Sequence, residues 1–165
     1  MTERISVLII SGQSQPAASL KPLLQSHSVD VHTADSCGEA LPRMWGEDPP
    51  HLVFTDLQLK DGTWLDALSV AKKSPATTHV IVVSAQADVN LYIQSIERGA
   101  FDFVVPPLSA SEIEFVLRSA ICDVQNRRKS QADVRRFHTA LSQSQSRPMS
   151  LEILSEDDPI ITASL

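Results

Sequence analysis

Apolar runs rich in β-branched residues recur along the chain: Ile5 to Ile10, Val29 to Thr33, His51 to Thr55, His79 to Ser84 and Phe101 to Val105. Segments with helical periodicity lie between them, and this alternation predicts an α/β fold built on a parallel sheet. The first and fourth runs are almost continuously apolar, as central strands covered on both faces are. Val29-Asp30-Val31-His32-Thr33 instead alternates apolar with polar and predicts an edge strand. Helices are predicted over Gln15 to Gln25, Cys37 to Trp45, Trp64 to Lys72, Val89 to Arg98, and from Ser111 onward. Ser36-Cys37-Gly38-Glu39 reads as a capping box, and Pro16 suits a first turn. Pro22 and Pro42 fall inside their helices, where each removes a backbone hydrogen bond at about 3 kcal/mol. Those two helices are therefore expected to be short, kinked or late in starting.

The fifth helix runs furthest. Ile113, Val116, Leu117, Ala120, Ile121 and Val124 keep the helical period, a polar stretch follows, and Val134, Phe137 and Leu141 resume it. Ile113, Ala120, Val134 and Leu141 also repeat in sevens with Arg127 intervening, the spacing of a short, imperfect dimeric coil. Residues 1–124 read as one domain, 125–141 as a helical extension, and 142–165 as a flexible linker and acidic tail. Ser142-Gln143-Ser144-Gln145-Ser146 has linker composition. A chain of 165 residues suits one domain plus an appendage.

The formal charge of −6 argues against nonspecific attraction of the whole chain to nucleic acid or anionic membrane. Arg118 to Arg136 is the exception, with six basic and two acidic residues. It lacks a surrounding helix-turn-helix and any interleaved aromatic beyond Phe137, and so reads as a solvated helix face and not a nucleic-acid contact. Cys37 and Cys122 match no metal-ligand spacing and fit a reducing compartment. The N-terminal apolar run is too short for a signal-peptide core or a membrane span. Together these features predict a cytoplasmic protein with no membrane partner.

In an open parallel sheet a site forms beyond the carboxyl ends of the strands, which directs attention to Ser11, Gly12, Asp56, Ser84, Ala85, Pro106 and Pro107. The histidines show no HxxxH or HExxH spacing, and no GxGxxG, GxxxxGK[ST] or GxSxG occurs, so neither a metal site nor an enzyme is expected. Asp56 is followed by Leu57 and Gln58, without the second acid that a haloacid-dehalogenase-type phosphatase needs.

Three segments carry a family resemblance. Val53-Phe54-Thr55-Asp56-Leu57-Gln58-Leu59-Lys60-Asp61-Gly62 resembles the phosphoacceptor strand and loop of two-component response regulator receiver domains. Val82-Val83-Ser84-Ala85 resembles their switch strand, and Arg98-Gly99-Ala100-Phe101-Asp102-Phe103 the run into their last strand. The resemblance implies a flavodoxin-like (CheY-like), doubly wound five-stranded parallel sheet with flanking helices and an extended C-terminal helix. It places Asp56 at the phosphorylated position, Ser84 at the hydroxyl switch and Phe103 at the aromatic switch. It also implies two acids after the first strand that hold Mg²⁺, and a lysine before a proline after the last strand. Ser11 and Gly12 stand at the first place and Pro106 at the second.

A carboxylate attacking a phosphoryl group needs a divalent cation and a fixed positive charge, and Asp56 with the Gln58 carbonyl falls short of a Mg²⁺ coordination set. An atypical, degenerate receiver is expected, without a cofactor and without phosphorylation by the family mechanism. The alternative is a phosphorylatable receiver that takes phosphate on Asp56 from a histidine kinase and uses Mg²⁺; a third reading is a small-molecule sensor using the altered crevice. With no acid beside it, Asp56 is expected to titrate near the ordinary carboxylate value of about 4. Its expected role is to cap the helix near Thr63 or to accept bonds from loop amides. Ser84 is expected to satisfy backbone groups or start a turn, Phe103 to be core, and Trp64 to cover the emptied pocket.

Output is expected through contact: a homodimer formed by the fourth helix, fifth strand and fifth helix, and an output domain or signalling protein as partner. Val116→Asp or Leu117→Asp is expected to break that dimer without unfolding. The segment Leu151-Glu152-Ile153-Leu154-Ser155-Glu156-Asp157-Asp158-Pro159 is similar in placement to the opening of the ATPase domain in NtrC-like σ54 activators. That likeness implies the N-terminal regulatory part of a larger activator.

Overall fold

The structure, a computed structural model, describes residues 4–13 and 16–145. Gln15, the predicted start of the first helix, lies outside the described residues, as does the segment from Leu151 to Pro159. Five parallel strands form one sheet: β1 (Ser6–Ile10), β2 (Asp30–Ala34), β3 (Leu52–Asp56), β4 (His79–Val83) and β5 (Asp102–Val104), in the order β2-β1-β3-β4-β5. Every predicted apolar run forms a strand. β1 and β3 are buried along their whole length, whereas β2 is half-exposed at the sheet edge.

The pleat sends successive side chains to opposite faces and so makes two core layers. Val7, Ile9, Phe54, Ile81 and Val83 meet Leu20, Leu24, Ile113, Val116, Leu117, Ala120 and Val124 on one face. Leu8, Ile10, Val53, Val80 and Val82 meet Ala40, Met44, Trp64, Ala67, Leu68 and Ala71 on the other. The fold is therefore the doubly wound α/β arrangement expected from the alternation.

The helices are α1 (Lys21–Gln25), α2 (Cys37–Met44), α3 (Trp64–Lys72), α4 (Val89–Glu97) and α5 (Ala110–Gln145). Pro22 sits in the first turn of α1, where its missing N–H costs nothing, so the helix starts late and a 3₁₀ turn, Ala18–Leu20, precedes it. Pro42 lies inside α2, which is correspondingly short. Ser36 accepts the Glu39 amide as predicted, but Glu39 reaches back to the Asp35 amide, at 2.8 Å. Thr63 and Asp66 close a full capping box on α3, Asp88 caps α4, and Ser109 with Glu112 caps α5.

The chain divides into two compact units, residues 1–128 and 129–165. The first runs past the expected boundary at 124 because α5 stays anchored to it. Arg128 donates Nε to the Thr77 carbonyl at 2.9 Å, and Nη2 to those of Pro50 and Pro49 at 2.9 and 3.1 Å. One turn earlier, Asp123 accepts from Arg127 and bonds His79, and these contacts hold its carboxyl below the usual range. One member of the basic stretch, Arg128, is thus committed to anchoring the helix, while Arg127 pairs with Asp123 on the helix itself. In the second unit α5 continues to Gln145, beyond Leu141, with the Ser142 and Ser144 hydroxyls bonding back to the His138 and Leu141 carbonyls.

Two expectations for α5 need correction. Val116 and Leu117 are core side chains, 7% and 5% exposed, so an aspartate at either position unfolds the domain instead of splitting a dimer. Ile113 and Ala120 are likewise fully buried while Val134 and Leu141 are exposed, so the repeat in sevens is not one seam.

Candidate functional site

The parallel register brings the carboxyl ends of β1, β3 and β4 level, with Ile10 beside Thr55 and Asp56 beside Val83. Ser11 leaves β1 donating its amide to the Ala34 carbonyl at 3.0 Å. Gly12 then turns over Asp56, the last residue of β3. Asp56 is 0% exposed, and each carboxylate oxygen accepts a backbone amide: Oδ2 from Gly12 at 2.6 Å and Oδ1 from Ala17 at 2.7 Å. Such short bonds to an ionised acceptor are strong. Burial nevertheless dominates and pushes the Asp56 pKa up, against the lowering effect of the Ala17 and Gly12 amides. The expectation of an ordinary carboxylate value is therefore corrected: absence of neighbouring acids did not anticipate desolvation.

Gly12 is what allows this closure. A Cβ there would overlap the carbonyl oxygen of Gln58 and come within 2.9 Å of its carbon, so the backbones after β1 and β3 lie directly against each other. Asp56 does not cap the helix near Thr63, since Thr63 and Asp66 do so themselves; its partners are loop amides. The loop after β3 also supplies Asp61, whose oxygens accept the Cys37 and Gly38 amides at 2.9 Å each and cap α2 from a distance. Those amides hold its carboxyl below the usual range. Sequence reasoning missed Asp61 because nothing local marks a carboxylate for a helix elsewhere in the chain.

Ser84 is buried, with its hydroxyl donating to the Gln86 carbonyl at 2.8 Å and accepting the Gln86 amide at 3.2 Å. Its bonds close its own turn and do not reach Asp56. Phe103 is half-buried at the margin of the second core layer, edge-on to Tyr92 with ring centroids 6.0 Å apart. Pro106 joins Pro107 through a cis peptide and lines a groove with Leu20, Pro22, Leu23 and Leu108. A cavity of about 220 Å³ opens beside Ser84, lined by Pro16, Leu57, Ala85, Gln86 and Leu91 among others. Trp64 lies in the core and is not among its lining residues, so it does not cover the crevice as expected. Among the described residues, no group of three or more His, Cys, Asp or Glu is arranged to hold a metal ion, and no helix is long and apolar enough to cross a membrane.

Away from the strand ends, Val89, Tyr92, Ile93 and Ile96 expose an apolar stripe on α4, and Phe115 on α5 is 72% exposed. Phe103, Val105, Leu108 and Phe115 line a groove of about 450 Å³ between β5 and α5.

The family model described as response regulator receiver domain matches residues 7–118. The regulatory protein AtoC of Escherichia coli is 25% identical over 144 residues, 87% of this chain and 30% of that protein. The transcriptional regulatory protein KdpE of Mycobacterium tuberculosis is 34% identical over 115 residues, 70% of this chain and 50% of that protein. The chain thus spans half or less of these curated relatives. A CheY-like receiver domain protein from Methanospirillum hungatei superposes with a TM-score of 0.62 at 19% identity, covering 75% of this chain and 98% of that one.

Proposed function

This chain belongs to the response regulator receiver domain family of two-component signalling, and from that premise we propose that it regulates by protein–protein contact, without Mg²⁺-dependent phosphorylation of Asp56. The observation that carries the reading is the closed carboxylate: both Asp56 oxygens are taken by backbone amides in a fully buried setting. Each oxygen keeps a second lone pair, but a nucleophilic carboxylate needs one oxygen accessible to the phosphoryl group and in line with the phosphorus, and at 0% exposure neither oxygen is. The residues do not fit the metal either. Ser11 and Gly12 carry no carboxylate, the space for a side chain at 12 is filled by the Gln58 carbonyl, and Pro106 brings no charge to offset an incoming dianion. The test is incubation with a small acyl-phosphate donor and Mg²⁺, followed by mass spectrometry of the intact protein. No acid-stable, hydroxylamine-sensitive phosphate on Asp56 is expected; its appearance would refute the reading.

The retained aspartate at the end of β3 favours the second reading, a receiver phosphorylated on Asp56 by a histidine kinase with Mg²⁺. That reading requires the Gly12 and Ala17 amides to leave the carboxylate first.

The contact surface in this proposal is the α4, β5 and α5 face, used for a homodimer and for an output domain or signalling partner. Tyr92→Asp and Ile93→Asp replace Val116→Asp as its probes, since both side chains are 46% exposed. Each is expected to weaken self-association in sedimentation while leaving the melting temperature nearly unchanged. The likeness to the regulatory protein AtoC and the transcriptional regulatory protein KdpE supports reading this chain as a regulatory part in transcription control. Its own part is to bind and not to catalyse.

A further inference from the structure

We propose that the acidic segment from Leu151 to Asp158 docks on helix α5 of its own chain, along the apolar stripe of Val134, Phe137 and Leu141, and covers it. Stripe and segment both fall in the second compact unit, residues 129–165, and the inference holds whichever way Asp56 behaves.

Val134, Phe137 and Leu141 are 56%, 64% and 43% exposed. Their spacing of three and four residues sets them on one side of α5, and Ala132 and Thr139 stand on the opposite side. Burying the stripe against other apolar side chains is favourable, and the charges beside it select the occupant. Lys129 and Arg136, seven residues apart and both exposed, run along one flank, and Arg135 along the other. Residues 129–145 hold these three basic side chains against one acid, Asp133. Leu151-Glu152-Ile153-Leu154-Ser155-Glu156-Asp157-Asp158 has the inverse make-up, with four acids, no base, and Leu151, Ile153 and Leu154 among them. A second copy of α5 would bring basic flanks against basic flanks, whereas this segment brings apolar side chains together with the opposite charge.

The length of chain between them permits the contact. α5 reaches Gln145, and the stretch from there to Leu151 spans up to about 20 Å when extended. Phe137 lies only about 12 Å back along the helix from Gln145. A chain that reverses between Ser146 and Ser150 therefore carries Leu151 and Leu154 to Leu141 and Phe137, with Glu156, Asp157 and Asp158 falling beside Arg136 and toward Lys129; connections of this length are ordinary between neighbouring elements. Seated there, the segment closes the stripe to any partner that does not displace it.

The test places a spin label on Ser155→Cys, in a Cys37→Ala/Cys122→Ser background of the full chain, and reads methyl broadening along α5. The two faces of a helix are about 10 Å apart, so Val134 and Leu141 are expected to broaden about threefold more than Ala132 and Thr139. Lys129→Glu/Arg136→Glu is expected to remove that difference, and Glu156→Lys/Asp157→Lys added to it to restore it. The effect is expected within a labelled chain and not between isotope-labelled and spin-labelled copies mixed together. In the parent protein, with no substitution at all, about 0.5 M salt is expected to shift the Val134 and Leu141 methyls and leave those of Ala132 and Thr139 in place. Equal broadening of the two faces, a difference that survives the charge reversal unchanged, broadening that passes only between mixed copies, or methyls indifferent to salt would overturn the proposal.

Discussion

Asp56 shows how a residue type can persist while its surroundings change its role. In the folded protein the carboxyl binds a proton more readily than in the unfolded chain, because burial raises its pKa. Stability from this group therefore falls as pH rises from about 4 through the raised folded value, where the native state holds the extra proton. Asp56→Asn removes that dependence. Its amide oxygen can accept only one of the two loop amides, an offset of about 1–3 kcal/mol. Urea unfolding at a series of pH values is expected to show the variant gaining on the parent as pH rises across that window; a constant difference would contradict the assignment. Gly12→Ala tests the closure from the other side. Its Cβ meets backbone and not a yielding side-chain tip, so a loss of about 1–3 kcal/mol is expected by thermal unfolding. Neither effect was legible in the sequence. Ser11, Gly12 and Pro106 announced missing charges, but the pairing of Gly12 and Ala17 with Asp56 spans distant segments, and no periodicity encodes it. Ser84 was legible, because a serine ending a buried strand tends to close a turn by its own hydroxyl.

At the scale of elements, all five sheet strands could be read from their apolar runs, since a parallel strand covered on both faces has little freedom of composition. Helix starts were harder wherever proline intervened. The apolar period of α5 is visible in the sequence, yet a periodic stripe does not say whether it faces a partner or the core: Val116 and Leu117 build the core, and Phe115, off the stripe, is the exposed residue. The Asp61 cap on α2 is a second element-scale contact with a testable consequence. Asp61→Ala is expected to cost about 1 kcal/mol and to speed hydrogen exchange at the Cys37 and Gly38 amides. Because those amides lower the Asp61 pKa, its stabilisation is present above the ordinary carboxylate value and is lost as pH falls through the folded one.

For the whole molecule, the decisive feature is where α5 stops belonging to the receiver unit. Arg128 closes that unit by bridging three carbonyls at the entry to β3 and β4. Arg128→Ala is expected to cost about 1–3 kcal/mol, and Arg128→Lys to recover only part of it, since an ammonium cannot reproduce the planar fork; melting temperatures of the two variants decide this. The basic stretch looked in the sequence like one solvated face, because charge alone does not tell a carbonyl clamp from a surface cation.

The closed carboxylate is tested most directly by following the Gly12 and Ala17 amide resonances while Mg²⁺ and beryllofluoride are added to the intact protein. Both resonances are expected to stay in place at metal concentrations that saturate ordinary carboxylate sites. Large, saturable shifts of the two together, with a fluorine signal from an aspartyl-beryllofluoride adduct, would show that Asp56 opens and accepts a phosphoryl mimic after all.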